Sequence, residues 1–417
     1  MLDDAAAARL RAHYRSGAPA RAAVPLFAVL GASLVGLGII LLLAHNWESL
    51  SRAERAALSI ALLLLAQGLA GFALLRRTAS VAWSEGSALF LVIASGATIA
   101  LLGQTYQVPG NLRSFLGQWL VLALAVPYLF AARGAAALYL FGATVWLIAS
   151  LADDASIRAW WLWLAGVAPL LALLSRRAAG TRDQFLGWVA VPCVTAGLVM
   201  AFRVEPWTGL AMLAASVQAA CYALGALTRE REGEPFFALP ARTLGGIGIA
   251  GGAVQLGKTF AWKGWLSDPR LTLHHVTWLD TAGAWAVGAV CAALAAVGVL
   301  RLAPRSWPRA LLAAFPLAVG AGLAALRATH SVWIAVVLMN AYALVAGIGM
   351  TLLGMRESRT GLANAGLLFL AWLVFDRFTD FELSYTLRGV SFIALGVCFL
   401  ALNLRLRRRR APEGAAA

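Results

Sequence analysis

The most distinctive polar run in this sequence is His45-Asn46-Trp47-Glu48, between two long apolar stretches. An imidazole and a carboxylate this close could pair across a turn or act as an acid–base couple near neutral pH. The residues that follow suggest a plainer role. Ser51 and Glu54 fit the S-x-x-E capping box that starts a helix, and Trp47 suits the headgroup depth at which amphipathic rings anchor. A second polar run, Gln104-Thr105-Tyr106-Gln107, precedes the turn signal Pro109-Gly110-Asn111. If the chain alternates across a membrane, both runs lie on one face. His45, Asn46, Trp47, Glu48, Gln104 and Tyr106 are then candidates for a polar outer pocket.

Isolated polar groups inside apolar runs form the second set of candidates. Gln255 and Lys258 lie three residues apart, on one helical face. Asn340 and Asn364 interrupt otherwise greasy stretches. Arg388 stands about one turn into the last run, after Asp376, Asp380 and Glu382. A charge in hydrocarbon costs a few kcal/mol unless it is paired or reaches the interface, so such groups either line a path or bond one helix to another.

Several motif matches fail on context. Gly252 to Thr259 fits the phosphate-loop pattern G-x-x-x-x-G-K-[ST], and Gly246 to Gly251 fits G-x-G-x-x-G. Both sit within an apolar run rather than between a strand and a helix, and small residues that allow close helix packing explain them. His274 and His275 are adjacent, so they would point apart on a helix. The sequence has no H-E-x-x-H and no G-x-S-x-G, and its four cysteines fall singly inside apolar runs. No catalytic residue, metal site or cofactor is expected.

The elements that must position these groups follow from composition. The chain is 61% hydrophobic and 13% charged, with a mean hydropathy of +0.78. A soluble domain is roughly 45–50% apolar and about 25% charged. The expected fold is therefore all-α, a polytopic transmembrane helix bundle of about fourteen spans, within a range of about twelve to fourteen. The first run is 23–44, the last 385–404, and the glycine-rich 243–262 is one span. The basic residues Arg9, Arg11, Arg15 and Arg21 precede a run too long for a cleaved leader, so it reads as a first membrane helix.

Lys and Arg favour alternate loops by roughly two to one, which places both termini in the cytoplasm of a bacterial inner membrane. The net charge of +15 then reflects loop arginines facing anionic headgroups, not a nucleic-acid surface. A cytoplasmic basic segment (1–22) would lead into an N-terminal membrane domain of about eight spans (23–227). A charged linker (228–242), a C-terminal membrane domain of about six spans (243–404) and a basic cytoplasmic tail (405–417) would follow.

His-Asn-Trp with Leu50 and a capped second helix, then Gln104, Tyr106 and the stretch from Trp119 to Tyr128, resembles the bacterial membrane proteins of domain of unknown function (DUF) 2157. The likeness covers the first third to half of the chain. Asp376 to Glu382, Tyr385 and the final run resemble the DUF 4401 proteins. The resemblance implies a multi-pass membrane protein and a small membrane partner with a GDYxxLxY motif. It carries no catalytic residues.

The expected function is transport or export of a small or lipid-like molecule. A membrane scaffold or sensor that holds a partner is the alternative, and an envelope enzyme is the third reading. A polar cavity reaching the midplane would favour transport, and a solid greasy bundle the scaffold.

Overall fold

A computed structural model describes residues 47–77, 79–153, 157–177, 184–200, 207–228, 237–266 and 278–378, together with Thr386 and Ile393. The runs at 23–44 and 385–404, both termini, the 229–236 linker stretch and the His274-His275 pair lie outside these residues. Every regular element among the described residues is helical. A short 3-10 turn, Trp47–Ser49, leads into α1 (Arg52–Arg76), α2 (Val81–Thr105), α3 (Leu112–Ala123), α4 (Ala125–Phe130) and α5 (Arg133–Asp153). Next come α6 (Ile157–Arg177), α7 (Gln184–Met200), α8 (Trp207–Leu227), α9 (Ala238–Leu256) and α10 (Thr259–Leu266). The series ends with α11 (Trp278–Leu302), α12 (Trp307–Ala313), α13 (Phe315–Thr329), α14 (Val332–Arg356) and α15 (Thr360–Phe378).

Among the described residues seven helical stretches, α3 and α4 running as one, are long and apolar enough to cross a membrane, or eight if the bent pair α12 and α13 is one span. Their outer faces carry Leu75 at 82% exposure, Val121 at 75% and Leu300 at 74%. Water would not tolerate so much bare aliphatic surface, whereas lipid is its natural solvent. The chain is an all-α membrane protein.

Helix starts follow local chemistry. The Ser51 backbone N–H donates to Glu54 Oε2 at 2.7 Å, and the Glu54 N–H donates to Ser51 Oγ at 3.3 Å. This is the reciprocal box that S-x-x-E predicts. Asn111 caps α3, its Oδ1 accepting from the Ser114 N–H at 2.9 Å.

The chain forms two compact units by contact. The first holds residues up to Arg76 and the stretch Phe90–Gly110, and the second holds Arg77–Leu89 and everything from Asn111. In the first unit, Ala66 and Ala70 of α1 and Val92 of α2 are buried, and the Thr98 hydroxyl of α2 donates to the Ser59 carbonyl of α1 at 3.1 Å. Such side-chain-to-backbone bonds between apolar helices are a usual glue where no water competes.

In the second unit, α8, α9 and α14 form the centre, around fully buried Ile249, Val254, Met339 and Ala343. Close approach comes from glycine. A Cβ at Gly245 would lie 2.6 Å from the Tyr222 backbone nitrogen, and one at Gly248 would lie 2.6 Å from the Gln218 side chain. Helices α8 and α9 thus touch backbone to backbone, as small residues at i, i+4 spacing permit. The α14–α15 hairpin uses the same device, with Gly354 against the Ala363 backbone and Gly366 against Thr351.

Helix α3 runs on into α4 through Leu124, which keeps helical dihedrals, three residues before Pro127, whose missing N–H cannot serve the Ala123 carbonyl. Two apolar stretches of the second unit are interrupted. Helices α12 and α13 bend by 58° at Ala314, just before Pro316. The run at 243–262 divides at Gly257-Lys258, where no proline is present.

Gly245→Leu should disrupt the α8–α9 contact, because backbone on the facing helix cannot move aside; overpacking of this kind costs roughly 1–3 kcal/mol or more. Gly246→Ala, whose Cβ would meet only a Tyr222 ring carbon at 3.8 Å, should be tolerated. Thermal unfolding of the two variants in detergent checks this, and equal midpoints would contradict it.

Candidate functional site

The break at Gly257-Lys258 gathers most of the described buried charge in this part of the second unit. When α9 stops, the carbonyls of its last turn lose their helical donors. Where no water reaches, each must find another partner. The Arg377 Nη2 donates to the Val254 carbonyl at 2.6 Å, the Trp262 indole N–H to the Leu256 carbonyl at 2.5 Å, and the Asn340 amide to the Gly257 carbonyl at 3.0 Å. Three helices other than α9 therefore supply the donors: α15, α10 and α14.

Each donor is itself held. Asn340 also donates to the Val336 carbonyl of its own helix at 2.8 Å, and its Oδ1 accepts from Arg377 Nε at 3.0 Å. Trp262 is fully buried and lies against α13, where a Cβ at Gly322 would come within 2.6 Å of the indole ring. Gly257 is required by close approach: a Cβ there would strike the Arg377 guanidinium and lie 3.0 Å from Asn340 Oδ1.

Lys258, the first residue past the break, completes the cluster. Its ammonium pairs with Asp376 Oδ1 at 2.8 Å, and the Arg377 Nη1 stands 3.8 Å from Asp376 Oδ2. The three side chains are 18%, 11% and 14% exposed, so these are inner pairs and not surface ones. One carboxylate thus stands between two cations, and the electronegative C-terminal end of α9 helps to hold the surplus positive charge. The depth is readable from the helices. Asn340 is eight residues into α14, about 12 Å at 1.5 Å per residue, and Asp376 and Arg377 lie in the last turn of α15.

Of the intramembrane candidates, the structure joins Lys258 and Asn340. Gln255 and Asn364 are exposed on their helix faces, away from the cluster's bonds. Arg388 lies outside the described residues. Asp376, read from the sequence only as a neighbour of Arg388, and Arg377, which that reading did not single out, are the partners of Lys258 and Asn340. The available signal was their position at the end of a short apolar run, and it gave no indication of which helix they would meet.

The outer-pocket candidates are resolved only in part. His45 and Asn46, like the Glu48 side chain, are outside the described residues. Trp47 is half-buried, with the Arg55 guanidinium 5.7 Å above its ring, a cation–π contact, while Arg55 Nε donates to the Leu50 carbonyl at 3.0 Å. Gln104 and Tyr106 are exposed at the end of α2. That helix stops where Gln107 takes a left-handed φ of 51°, and the Val108 N–H then bonds the Gly103 carbonyl at 2.9 Å.

Two other charged groups have structural explanations. Glu85 accepts from the Arg133 and Gly134 backbone N–H groups at 2.8 and 3.0 Å, capping α5 where the left-handed Ala131 turns the chain. Arg309 forks onto both oxygens of Glu357, at 2.5 and 2.8 Å, tying α12 to the α14–α15 turn. Among the described residues no group of His, Cys, Asp and Glu could hold a metal ion.

A cavity of about 420 Å³ lies among α6, α7, α8, α9 and α11, within the ~300–1,000 Å³ range of ligand pockets. Its walls are aliphatic, with Thr195, Cys221 and Cys291 as the only side chains carrying a heteroatom. The Thr195 hydroxyl donates to the Pro192 carbonyl at 3.1 Å and the Cys221 thiol to the Ala241 carbonyl at 3.5 Å, so both are already engaged.

Asp376→Leu should cost about 3–5 kcal/mol, because Lys258 and Arg377 both lose their carboxylate, and Lys258→Met should cost clearly less, because Asp376 keeps Arg377 beside it. The double variant should cost clearly less than the sum of the two. A double-mutant cycle on thermal unfolding in detergent checks the coupling, and simple additivity would contradict the pairing.

Residues 1–136 match the family model described as Predicted membrane protein (DUF2157). This agrees with the N-terminal resemblance read from the sequence. The DUF 4401 likeness at the C-terminal end remains an expectation from the sequence. No curated protein and no solved structure matches the chain.

Proposed function

We propose that this membrane protein moves a lipid-like molecule across or within the bilayer, in a bacterial inner membrane and with both chain ends cytoplasmic. The observation that carries the reading is the interruption between α9 and α10, inside the apolar run 243–262, with its Lys258–Asp376–Arg377–Asn340 cluster. An unbroken helix satisfies every carbonyl within itself, so a membrane helix whose only task is to fill space has no need of a break. Discontinuous helices in hydrocarbon are the usual substrate or ion sites of secondary transporters. Asp376, with one cation at 2.8 Å and another at 3.8 Å, can shift between them while its own carboxylate stays paired. That gives the α9–α10 junction two arrangements for a cargo to bias.

The apolar walls of the cavity among α6, α7, α8, α9 and α11 favour a greasy cargo over a polar solute. A polar solute would leave its hydrogen-bonding groups unmatched there.

The second reading is the scaffold. It is favoured by one observation: the cluster's Asn340 and Arg377 are bonded to neighbouring helices, as helix-fixing groups would be. Vesicles separate the two. With fluorescent phosphatidylglycerol in both leaflets, protein-containing vesicles should expose inner-leaflet probe to dithionite faster than protein-free ones. Asp376→Asn, nearly isosteric, should cut the excess rate at least tenfold in folded protein. No acceleration by the wild type would exclude movement of this lipid class and leave the scaffold.

A further inference from the structure

We propose that the apolar cavity holds one acyl chain of an anionic phospholipid, with the headgroup at the arginine-rich end of the second unit. The part that names a cargo rests on the transport reading above; the binding site stands on the cavity and its surroundings.

The walls select the occupant. With Thr195 and Cys221 already bonded to carbonyls, the cavity offers almost nothing to a polar ligand, so whatever lies inside must be apolar along its buried length. A methylene fills roughly the ~30 Å³ of a water molecule, so about 420 Å³ suits a single chain of about a dozen carbons. Lipid is the solvent of these helices, and its chains are the apolar molecules in greatest supply.

The cavity is also placed for a headgroup. It reaches Phe237, Ala241 and Leu224, in the first turns of α9 and the last turn of α8. That is the end at which Gly225 meets the Arg242 backbone and Gly298 meets Ala223. Tyr222 there is within electrostatic reach of Arg242, Arg309 and Glu357. Around the ends of α8, α9, α11 and α14 stand Arg242, Arg301, Arg305, Arg309, Arg356 and Arg359, against Glu357. Among the described residues here arginine outnumbers glutamate, which leaves this end basic. Arg242 directly follows the lining residue Ala241 in the first turn of α9, and in this arrangement the phosphate stays among the arginines while its chain runs inward. Phosphate with arginine is a strong, charge-assisted pairing, and zwitterionic lipids gain less from a basic surface.

Photo-crosslinking in vesicles tests this. Full-length protein is reconstituted with phosphatidylglycerol bearing a diazirine on one acyl chain, or with the phosphatidylcholine analogue, and the labelled peptides are mapped. The result expected is label concentrated on residues 190–198 and 217–224, several-fold higher for phosphatidylglycerol. Ala220→Phe and Val194→Trp, each filling the cavity from a different helix, should lower it at least tenfold. Arg242→Gln should reduce the preference for phosphatidylglycerol while leaving the labelled sites unchanged. Label spread evenly over outward faces such as those of Leu64, Leu129 and Leu368, or unaltered by both cavity variants in folded protein, would overturn the site. Equal labelling by the two lipids would overturn the headgroup assignment. Crosslinking requires no movement of lipid. Labelling that persists where dithionite shows no flipping removes only the transport reading, and flipping that persists where cavity labelling is lost removes only this one.

Discussion

A peptide carbonyl in hydrocarbon must be hydrogen-bonded by protein, and the second unit is organised around three carbonyls at the end of α9, of which Val254 also accepts the Gly257 N–H at 3.2 Å. Val254, Leu256 and Gly257 are answered by Arg377, Trp262 and Asn340, so α10, α14 and α15 are all committed to one junction. The same rule acts at the bend between α12 and α13. There the Leu311 carbonyl accepts the Ala314 N–H and also the Tyr342 hydroxyl of α14, each at 3.1 Å. Its ring lies 5.5 Å from that of Phe315, centroid to centroid. Helix α14 thus serves both interrupted spans, with Asn340 for one and Tyr342, half a turn along, for the other.

Charge enters the bundle as a consequence of that arrangement. A guanidinium is suited to a buried junction because its planar fork can serve a carbonyl, an amide oxygen and a carboxylate together. Once Arg377 is inside, Asp376 offsets it, and Lys258 makes use of the carboxylate's other oxygen. The rest of the unit can then be built from small and aliphatic residues, with glycines setting how closely the helices approach. The apolar cavity lies at the opposite end of α9 from the cluster. One helix therefore separates a polar junction from a greasy pocket, and any shift of α9 along its axis would be felt at both.

Much of this was legible beforehand, and the reasons are physical. Composition and run length gave the all-α membrane class, because lipid allows little else for such a sequence. The Ser51–Glu54 box was readable because capping is local chemistry. The interruption at Gly257 was not legible. Its run is continuous in hydropathy, glycines are ordinary in membrane helices, and the donors that stabilise the break lie about 80 and 120 residues further along. For the same reason Lys258 and Asn340 could be named as unusual but not as neighbours. Asp376 and Arg377 were masked by their place beside a helix end, where a charge normally meets water.

The most direct measurement is an experimental density map of the full chain in lipid nanodiscs, read at residues 252–262. The account predicts that helical density stops at Leu256 and resumes at Thr259. Arg377 should lie against the Val254 carbonyl, and Lys258 against Asp376. A continuous helix through Gly257, with Arg377 and Lys258 turned to the headgroups, would contradict it.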